Sequence, residues 1–235
     1  DKDSVTVAEI SSFQLETMVT FKPHVTAILN ITPDHLDRHK TLENYIAIQE
    51  SITKNQDEND FCVLNYNDPV LREFGKTPRC KVIFFSSSEE LESGVFLRGD
   101  TMIIKENGVE TPVCTTKDTS LVGMHNYENI MAAIAMTHAM GVPLDTIRQG
   151  IKEFTAVEHR IEFVAEKNGV KYYNDSKGTN PDAAIKAVYA MPSPTILIGG
   201  GYDKKSSYDE WVATFEGRVK ELLLIGKTKY DIAAA

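Results

Sequence analysis

The sequence has few cysteines, and they show no paired spacing. Cys62, Cys80 and Cys114 are the three cysteines in 235 residues, and no C-x-x-C pair occurs. An odd, scattered set argues against a disulfide framework or a zinc site and is typical of a chain kept in a reducing compartment. We therefore expect a cytoplasmic protein.

The sequence also lacks long apolar runs and an excess of basic residues. No stretch approaches the roughly 20 apolar residues that cross a bilayer, and no signal peptide is present, so membrane insertion is not expected. Acidic residues outnumber basic ones by 34 to 25, which gives a formal net charge of -9. A nucleic-acid partner is not expected either, because that function needs a basic face. Any anionic ligand must be held by a few placed groups, with or without a metal ion.

The composition is that of a globular protein, with 42% hydrophobic and 25% charged residues. At roughly 100–200 residues per domain, the length allows one large domain or two modest ones. The chain opens on Asp1 without a methionine and stops just after an apolar run. Both ends are therefore expected to be cuts through a longer chain.

Short apolar runs alternate with helical patterns, which predicts an α/β fold. Runs of strand length, typical of strands buried in a largely parallel sheet, occur at residues 5–10, 25–31, 61–64 and 82–85. Helical spacing of apolar residues predicts helices over residues 41–53, 127–140 and 143–154. The pairs Asn107-Gly108 and Asn168-Gly169 predict β-hairpins, because Asn-Gly readily adopts the positive φ angles of a type I′ turn.

After about Val157 the α/β pattern restarts, which predicts a second sheet with a βαβαβ rhythm. The expected elements are a hairpin, a helix and a strand, then a second helix and strand, at residues 161–173, 181–189, 195–198, 207–217 and 222–225. We place the domain boundary near residues 155–160.

Polar residues concentrate where the predicted strands end, the place where open α/β sheets bind ligands. Glu9 ends the first apolar run and precedes Ser11 and Ser12. The carboxylate is either a Mg²⁺ ligand or satisfied by backbone amides beside a serine-capped helix start, and both interpretations stay open. His35 lies among Asp34, Asp37, Arg38 and His39, so it is a candidate for metal or phosphate contact rather than a structural histidine.

Three further stretches have the same character. Asn126 and Asn129 share one face of a helix start, where their amides suit a purine or ribose, although one of them would suffice as a helix cap. Residues 158–160 and 174–180 bring Arg160, Lys177 and Thr179, and the second stretch suits an anion but is not a Walker A motif. Residues 199–205 place three glycines before two lysines, which is either a bare turn or a carboxylate or phosphate site.

Read in order, these stretches resemble the Mur ligase family over essentially the whole chain. Residues 30–38, 159–162 and 174–180 carry the family pattern, and residues 9–16 resemble the members that add D-glutamate. The resemblance implies that residues 1–157 are a P-loop-type central ATPase domain without its phosphate loop, with a mostly parallel sheet flanked by helices. Residues 158–235 would be the first half of a Rossmann-like glutamate-ligase domain.

The resemblance also implies the chemistry. An ATP- and Mg²⁺-dependent ligase joins D-glutamate to UDP-N-acetylmuramoyl-L-alanine through an acyl phosphate, as a cytoplasmic monomer in peptidoglycan synthesis. Because the phosphate loop would lie upstream of Asp1, this stretch alone is expected to be inactive.

The family's functional residues carry over onto matching positions. The resemblance implies Mg²⁺ binding by Glu9 and His35. It implies nucleotide binding by Asn126, Asn129, Arg160 and Asp175. It implies substrate binding by Ser11, Lys177, Thr179 and Lys204, with Lys205 a weaker substitute for Lys204. His35, Lys177 and Arg160 would also act in catalysis.

One position departs from the family pattern. Four residues after Tyr45, where most relatives carry a carbamylated lysine that holds a second Mg²⁺, this chain has Gln49. Gln49 and the missing phosphate loop favour a non-catalytic, ligase-like binding module as the alternative function. A folylpolyglutamate synthase is a second alternative, against which residues 11–15 argue.

Overall fold

A computed structural model describes residues 4–155, 158–202 and 207–235 of the chain. The chain forms two compact units. The first comprises Asp1–Asp118 and Glu128–Ile151, and the second comprises Thr119–Tyr127 and Lys152–Ala235. The predicted boundary near residues 155–160 stays a prediction.

The first unit is built on a six-stranded sheet whose strands stand in chain order. They are β1 (Val25–Ile28), β2 (Phe61–Asn65), β3 (Lys81–Ser86), β4 (Gly94–Arg98), β5 (Thr101–Glu106) and β6 (Val109–Thr115). Strands β1 to β4 pair in parallel, whereas β4, β5 and β6 form an antiparallel meander. The predicted α/β class with a mostly parallel central sheet is confirmed.

Helices of this part of the chain are α1 (Ser12–Glu16), α2 (Leu36–His39), α3 (Leu42–Glu50), α4 (Pro69–Phe74), α5 (Met124–Ala139) and α6 (Leu144–Glu153). The 3-10 turn Ser51–Thr53 extends α3. Helix α4 begins where it does because Asp68 Oδ1 accepts from the N–H groups of Val70 and Leu71, and Pro69 needs no N–H partner there. Within the described residues, none of the helices has the length and apolar character that crossing a membrane requires.

The core of the first unit lies on β2, β3 and β4 and against α5. Its fully buried members include Leu64, Phe85, Phe96, Met131 and Ile134. All three cysteines are free and buried. The strands predicted at residues 25–31, 61–64 and 82–85 are confirmed as β1, β2 and β3, with β1 ending earlier, at Ile28. Uninterrupted apolar sequence suits strands that are buried on both faces, as β2 is.

The prediction of a strand at residues 5–10 is wrong: within the part of the chain that the structure describes, no strand forms there. Residues 4–10 are irregular, and Val5 and Val7 are 68% and 93% exposed. An apolar run forms a strand only when a neighbouring strand takes its N–H and C=O groups, and no described strand pairs with this one.

Both Asn-Gly hairpins are confirmed. Asn107 and Gly108 have φ angles of 52° and 79°, and Asn168 and Gly169 have 54° and 76°. Two consecutive positive φ angles are what a type I′ turn requires.

The second unit contains two separate small sheets. The hairpin of β7 (Glu162–Lys167) and β8 (Val170–Asn174) forms one, and the parallel pair β9 (Thr195–Gly201) and β10 (Val219–Gly226) forms the other. The expectation that the hairpin joins a single βαβαβ sheet is wrong, because β8 pairs with β7 and with no other described strand. The helices are α7 (Pro181–Ala190), α8 (Asp209–Ala213) and α9 (Lys229–Ala234), with α8 shorter than predicted.

One face of the parallel pair β9–β10 carries a small core. Val188, Trp211 and Ile232 are buried there. The alternate side chains point to the opposite face, which is exposed: Ile196, Ile198, Leu223 and Ile225 are 46% to 66% accessible. The sheet is thus covered on one side by the described residues.

Candidate active site

The carboxyl ends of three parallel strands bring polar residues to one edge of the first sheet. Leu29 and Asn30 follow β1, Asn65 ends β2 and Ser86 ends β3. Because β1, β2 and β3 run in parallel, these ends lie at the same edge, where α/β proteins bind ligands. The stretch that contains His35 starts there.

The serine-capped helix start proposed for residues 9–16 is present. Gln14 Oε1 accepts from the backbone N–H and the hydroxyl of Ser11, both at 2.8 Å, and Ser11 is the N-cap of α1. Glu9 takes no part in this cap, and its side chain is exposed. The interpretation in which backbone amides of the cap satisfy Glu9 is therefore not supported, and its carboxylate stands free for a cation.

His35 occupies a backbone conformation that L residues seldom adopt. Its φ is 51°, it precedes α2 as the N-cap, and its side chain is 49% exposed. The imidazole lies 4.9 Å from the ring of Phe13, and its Nε2 is 3.5 Å from Asp34 Oδ2. An exposed residue in this conformation is often found where backbone strain serves a site.

A buried cluster joins the first two polar stretches, and the sequence reasoning did not identify it. His39 is 4% exposed; its Nε2 lies 3.0 Å from Ser12 Oγ and its Nδ1 3.2 Å from Glu16 Oε1. Arg38 donates to the other carboxylate oxygen of Glu16 at 2.8 Å and holds the pKa of Glu16 below its ordinary value. The pattern resembles a catalytic triad, but Ser12 is 4% exposed, so the cluster fixes α1 against α2.

Gln49 bonds within its own helix. Its Nε2 donates to the Tyr45 hydroxyl at 2.9 Å. Glu50 faces a different surface, a shallow groove that Val70 and Phe74 also line. Burial there raises the pKa of Glu50. This agrees with the turn of about 100° that separates consecutive helix residues.

The donor set in the first unit fits a lightly held Mg²⁺ rather than a protein cage. Among the residues that the structure describes, no three His, Cys, Asp or Glu side chains form a metal-binding group. Mg²⁺ keeps several waters and is commonly bound by one or two carboxylates plus substrate phosphates. Glu9 offers a carboxylate and His35 an imidazole, and both side chains are exposed, which suits that arrangement.

The two asparagines at the start of α5 have different surroundings. Asn126 is 7% exposed and its Nδ2 donates to Val122 O at 2.7 Å, so it ties the helix start to the preceding loop. Asn129 is exposed. This bond is not a helix cap, because the Asn126 side chain donates to a carbonyl instead of accepting from a free N–H group. The amide of Asn129 is open to a ligand.

In the second unit the structure brings the stretches at residues 158–162 and 174–180 together. Asp175 Oδ1 accepts from Ile161 N–H at 3.0 Å, and His159 O accepts from Lys177 N–H at 2.9 Å. Arg160 lies between two residues with positive φ, His159 at 67° and Ile161 at 45°. A β-branched residue at positive φ is strained, so this loop is held by its hydrogen bonds.

Three predicted residues thus converge on one loop pair. Arg160 and Lys177 have exposed side chains, while burial raises the pKa of Asp175, against the lowering effect of Ile161 N–H and Arg160. Gly178 turns beside the carboxylate, where a Cβ would meet Asp175 Oδ2 at 2.5 Å. Thr179 follows, exposed at the start of the turn into α7.

The glycine stretch lies at the carboxyl end of β9. Gly200 has a φ of 121°, and a Cβ there would lie 2.1 Å from Ile225 O, so β10 passes too close for any side chain. The close pairing of β9 with β10 therefore accounts for the glycine at residue 200. Lys204 and Lys205 lie outside the described residues.

Comparison with known proteins agrees with these features. The family description "Mur ligase middle domain" matches residues 1–137, and "Mur ligase, glutamate ligase domain" matches residues 159–235. A UDP-N-acetylmuramoylalanine--D-glutamate ligase from Lachnoclostridium phytofermentans is 54% identical over all 235 residues, which make up 52% of that protein. The corresponding ligase from Thermoanaerobacter sp. (strain X514) is 50% identical over 98% of this chain and 51% of its own length. The chain spans about half the length of these curated relatives.

Solved structures show the same fold at low identity. The UDP-N-acetylmuramoylalanyl-D-glutamyl-2,6-diaminopimelate--D-alanyl-D-alanyl ligase of Acinetobacter baumannii has a TM-score of 0.67 and 18% identity, covering 90% of this chain and 47% of its own. The MurF ligase of Thermotoga maritima in complex with ADP has a TM-score of 0.60 and 18% identity, covering 90% and 54%. Since the middle-domain description alone covers more than half of the sequence, the resemblance first based on short motifs is confirmed, and the chain belongs to the Mur ligase family.

Proposed function

We propose that a protein carrying this chain joins D-glutamate to UDP-N-acetylmuramoyl-L-alanine at the expense of ATP in peptidoglycan synthesis. The observation that carries the proposal is the 54% identity over the whole chain with a relative whose name states this reaction. A second relative, with the same name, is 53% identical over 99% of the chain.

The proposed reaction has two steps. A carboxylate oxygen of the muramoyl-alanine substrate attacks the γ-phosphorus of ATP; the bond to the β–γ bridging oxygen breaks, and ADP leaves. The amine of D-glutamate then attacks the acyl carbon, phosphate leaves, and the amine nitrogen loses a proton. Negative charge develops on the transferring phosphoryl group and on the carbonyl oxygen, so placed cations are the main catalytic requirement.

The geometry supports distinct roles for the residues in the second unit. Arg160 and Lys177 present exposed cations from two hydrogen-bonded loops, which suits neutralisation of phosphoryl or carboxylate charge. Asp175 would accept from a ribose hydroxyl through Oδ2, since its Oδ1 accepts from Ile161 N–H. Thr179 and Lys204 would complete the substrate contacts.

Residues of the first unit would serve the nucleotide and the metal. Asn129 offers an exposed amide, Asn126 holds the helix start, and Ser11 would contact the substrate. Glu9 and His35 would hold Mg²⁺, which when bound neutralises phosphate charge. We further propose a cytoplasmic monomer; the free, buried cysteines fit a reducing compartment.

A non-catalytic, ligase-like module is the competing function, and Gln49 is the observation that favours it. Such a module would bind nucleotide or substrate without turnover. The two functions therefore differ in one product: the ligase releases ADP when D-glutamate is present, whereas the binding module does not.

The test is ADP release by the full-length protein with UDP-N-acetylmuramoyl-L-alanine, D-glutamate and Mg-ATP, with L-glutamate as the control substrate. Lys177→Ala should lower kcat by about 10² to 10³, the size typical of a lost charge-stabilising group. Lys186→Ala is the matched control, because Lys186 is an exposed lysine on α7 that pairs with Asp182 at 2.8 Å. ADP release that is independent of D-glutamate, or equal loss in both variants, would contradict the proposal.

A further inference from the structure

A chain of buried and half-buried polar side chains crosses the carboxyl edge of the first sheet. We call it the edge relay, and it consists of Asn65, Asn67, Ser86, Ser87 and Glu128. Asn65 and Ser86 are 6% and 0% exposed. Burying a polar group costs free energy unless it is hydrogen-bonded, so the buried members of the edge relay require hydrogen-bond partners.

The relay begins at the end of β1. Asn65 Nδ2 donates to Leu29 O at 3.1 Å, and Asn65 Oδ1 accepts from Asn67 N–H at 2.9 Å. Leu29 directly precedes the stretch that contains His35. These hydrogen bonds fix the position of Leu29 relative to the end of β2. They therefore fix the start of the stretch that contains His35.

The relay then passes to β3 and to helix α5. Asn67 Oδ1 accepts from Ser86 Oγ at 2.7 Å, and Asn67 Nδ2 donates to Ser87 Oγ at 2.6 Å. Glu128 Oε1 accepts from Ser87 Oγ at 2.6 Å and from Asn67 Nδ2 at 3.2 Å. One carboxylate oxygen of the helix is therefore held by two side chains that come from the ends of two strands.

Glu128 immediately precedes Asn129, the residue of α5 whose amide is exposed. A tether one residue away fixes both the rotation and the axial position of the helix at that point. Both hydrogen bonds fall on Oε1, so the tether requires one acceptor oxygen at residue 128.

We infer that Asn67 and Glu128 are positioning residues for the nucleotide, which align Asn129 with the loop after β1 through the edge relay. This inference rests on the proposed function, because it assumes that Asn129 contacts the nucleotide. It assigns no ligand contact to Glu128 itself. Its consequence is that the acceptor oxygen of Glu128 matters, whereas its negative charge does not.

The test compares Glu128→Ala with Glu128→Gln in the full-length protein. The glutamine keeps an acceptor oxygen at the same position and loses the charge. Glu128→Ala should weaken Mg-ADP binding, measured by isothermal titration calorimetry, about tenfold, or about 1.4 kcal/mol. It should raise the KM for ATP by a similar factor and leave the KM for D-glutamate within about twofold. Glu128→Gln should stay within about twofold of wild type in all three.

Glu92→Ala is the matched control, because Glu92 is fully exposed on the same unit. If Glu128→Ala does not fold, Ser87→Ala removes the shortest bond to the carboxylate while Asn67 remains. Equal Mg-ADP affinity in wild type and the folded truncation variant would overturn the inference, as would a glutamine variant as weak as the alanine one. A wild-type protein that binds Mg-ADP but shows no D-glutamate-dependent turnover would contradict the proposed function and leave this test intact.

Discussion

Gln49 stands where the resemblance implies a carbamylated lysine, and its Nε2 is bonded to the Tyr45 hydroxyl. That bond leaves the carbonyl oxygen of Gln49 as its remaining group for a cation. A neutral oxygen is a weaker Mg²⁺ ligand than a carbamate, because one negative charge is missing. The residue therefore predicts a second metal that is held through its carbonyl or through a bridging water.

We expect Gln49→Lys to make activity of the full-length protein depend on bicarbonate, because a neutral lysine amine adds CO₂ to form a carbamate. The Mg²⁺ concentration for half-maximal rate should fall in that variant. The measurement is a Mg²⁺ titration at fixed ATP, with and without bicarbonate, for wild type, Gln49→Lys and Gln49→Ala. Three superimposable curves would leave Gln49 without a metal role.

Glu50, the next residue, is partly buried, and this makes the stability of the fold depend on its protonation. Burial in its groove raises its pKa above the ordinary value of 4.5. Its stabilising contribution is fully present below pH 4.5 and is lost as the pH rises through the raised value in the folded state. Glu50→Gln should therefore raise the Tm at pH 7 and leave it nearly unchanged at pH 4.

The control for this prediction is Glu92→Gln, whose side chain is fully exposed. Thermal unfolding of the three proteins between pH 4 and pH 8 gives the comparison. A Tm difference between Glu50→Gln and wild type that does not change with pH would contradict the assignment.

At the scale of elements, the loop at residues 158–162 holds its strained backbone through a few hydrogen bonds. Positive φ at His159 and Ile161 costs of order 1–3 kcal/mol each. The Asp175 carboxylate offsets this by accepting from Ile161 N–H. Arg160 is held in place by the same bond.

Gly178→Ala should disturb this arrangement, because the added Cβ would lie 2.5 Å from Asp175 Oδ2. We expect a Tm lower by a few degrees, equivalent to about 1 kcal/mol, together with a several-fold loss of kcat/KM. Gly150→Ala serves as the control: nothing lies within 4 Å of its Cβ, and a helical glycine-to-alanine change is normally neutral or stabilising. Equal Tm values for the two variants would refute the expected clash.

The elements also show how far sequence patterns reach. Strands β1, β2 and β3, helix α3 and both hairpins were predictable, because uninterrupted apolar runs, helical spacing and Asn-Gly pairs are local signals. Strand β4 was not predicted, since Gly94–Arg98 is fixed by pairing with β3 and β5. The strand at residues 5–10 was wrongly predicted because an apolar run forms a strand only where a neighbouring strand pairs with it. No described strand pairs with this run.

The candidate site was predictable as a set of residues but not as an arrangement. Strand ends and polar motifs indicated Glu9, His35, Asn129, Arg160 and Lys177. Nothing in the sequence indicated that His39 would be buried or that Glu128 would be tethered, because both depend on side chains distant in sequence.

At the scale of the whole molecule, each compact unit has its own core, which is the usual condition for a domain. The two family descriptions leave residues 138–158 between them. We therefore expect limited proteolysis with trypsin to cut first near residues 155–160. A second expectation is faster degradation of the carboxyl-terminal fragment, since one face of β9–β10 is exposed and apolar. Uniform resistance along the chain would contradict both.

The order of strands in the first sheet has a consequence for how the chain folds. Strands β4, β5 and β6 are joined by tight turns, so they require the closure of very short loops, and hairpins of this kind form in about 1–10 μs. Helices separate β1 from β2 and β2 from β3 along the chain, and such non-local pairing is slower. Because the strands stand in chain order, β3, β2 and β1 can each add to an edge that already exists, and none of the strands that the structure describes has to insert between two others. The meander is therefore expected to act as the template of the sheet, which grows from it towards its amino-terminal edge.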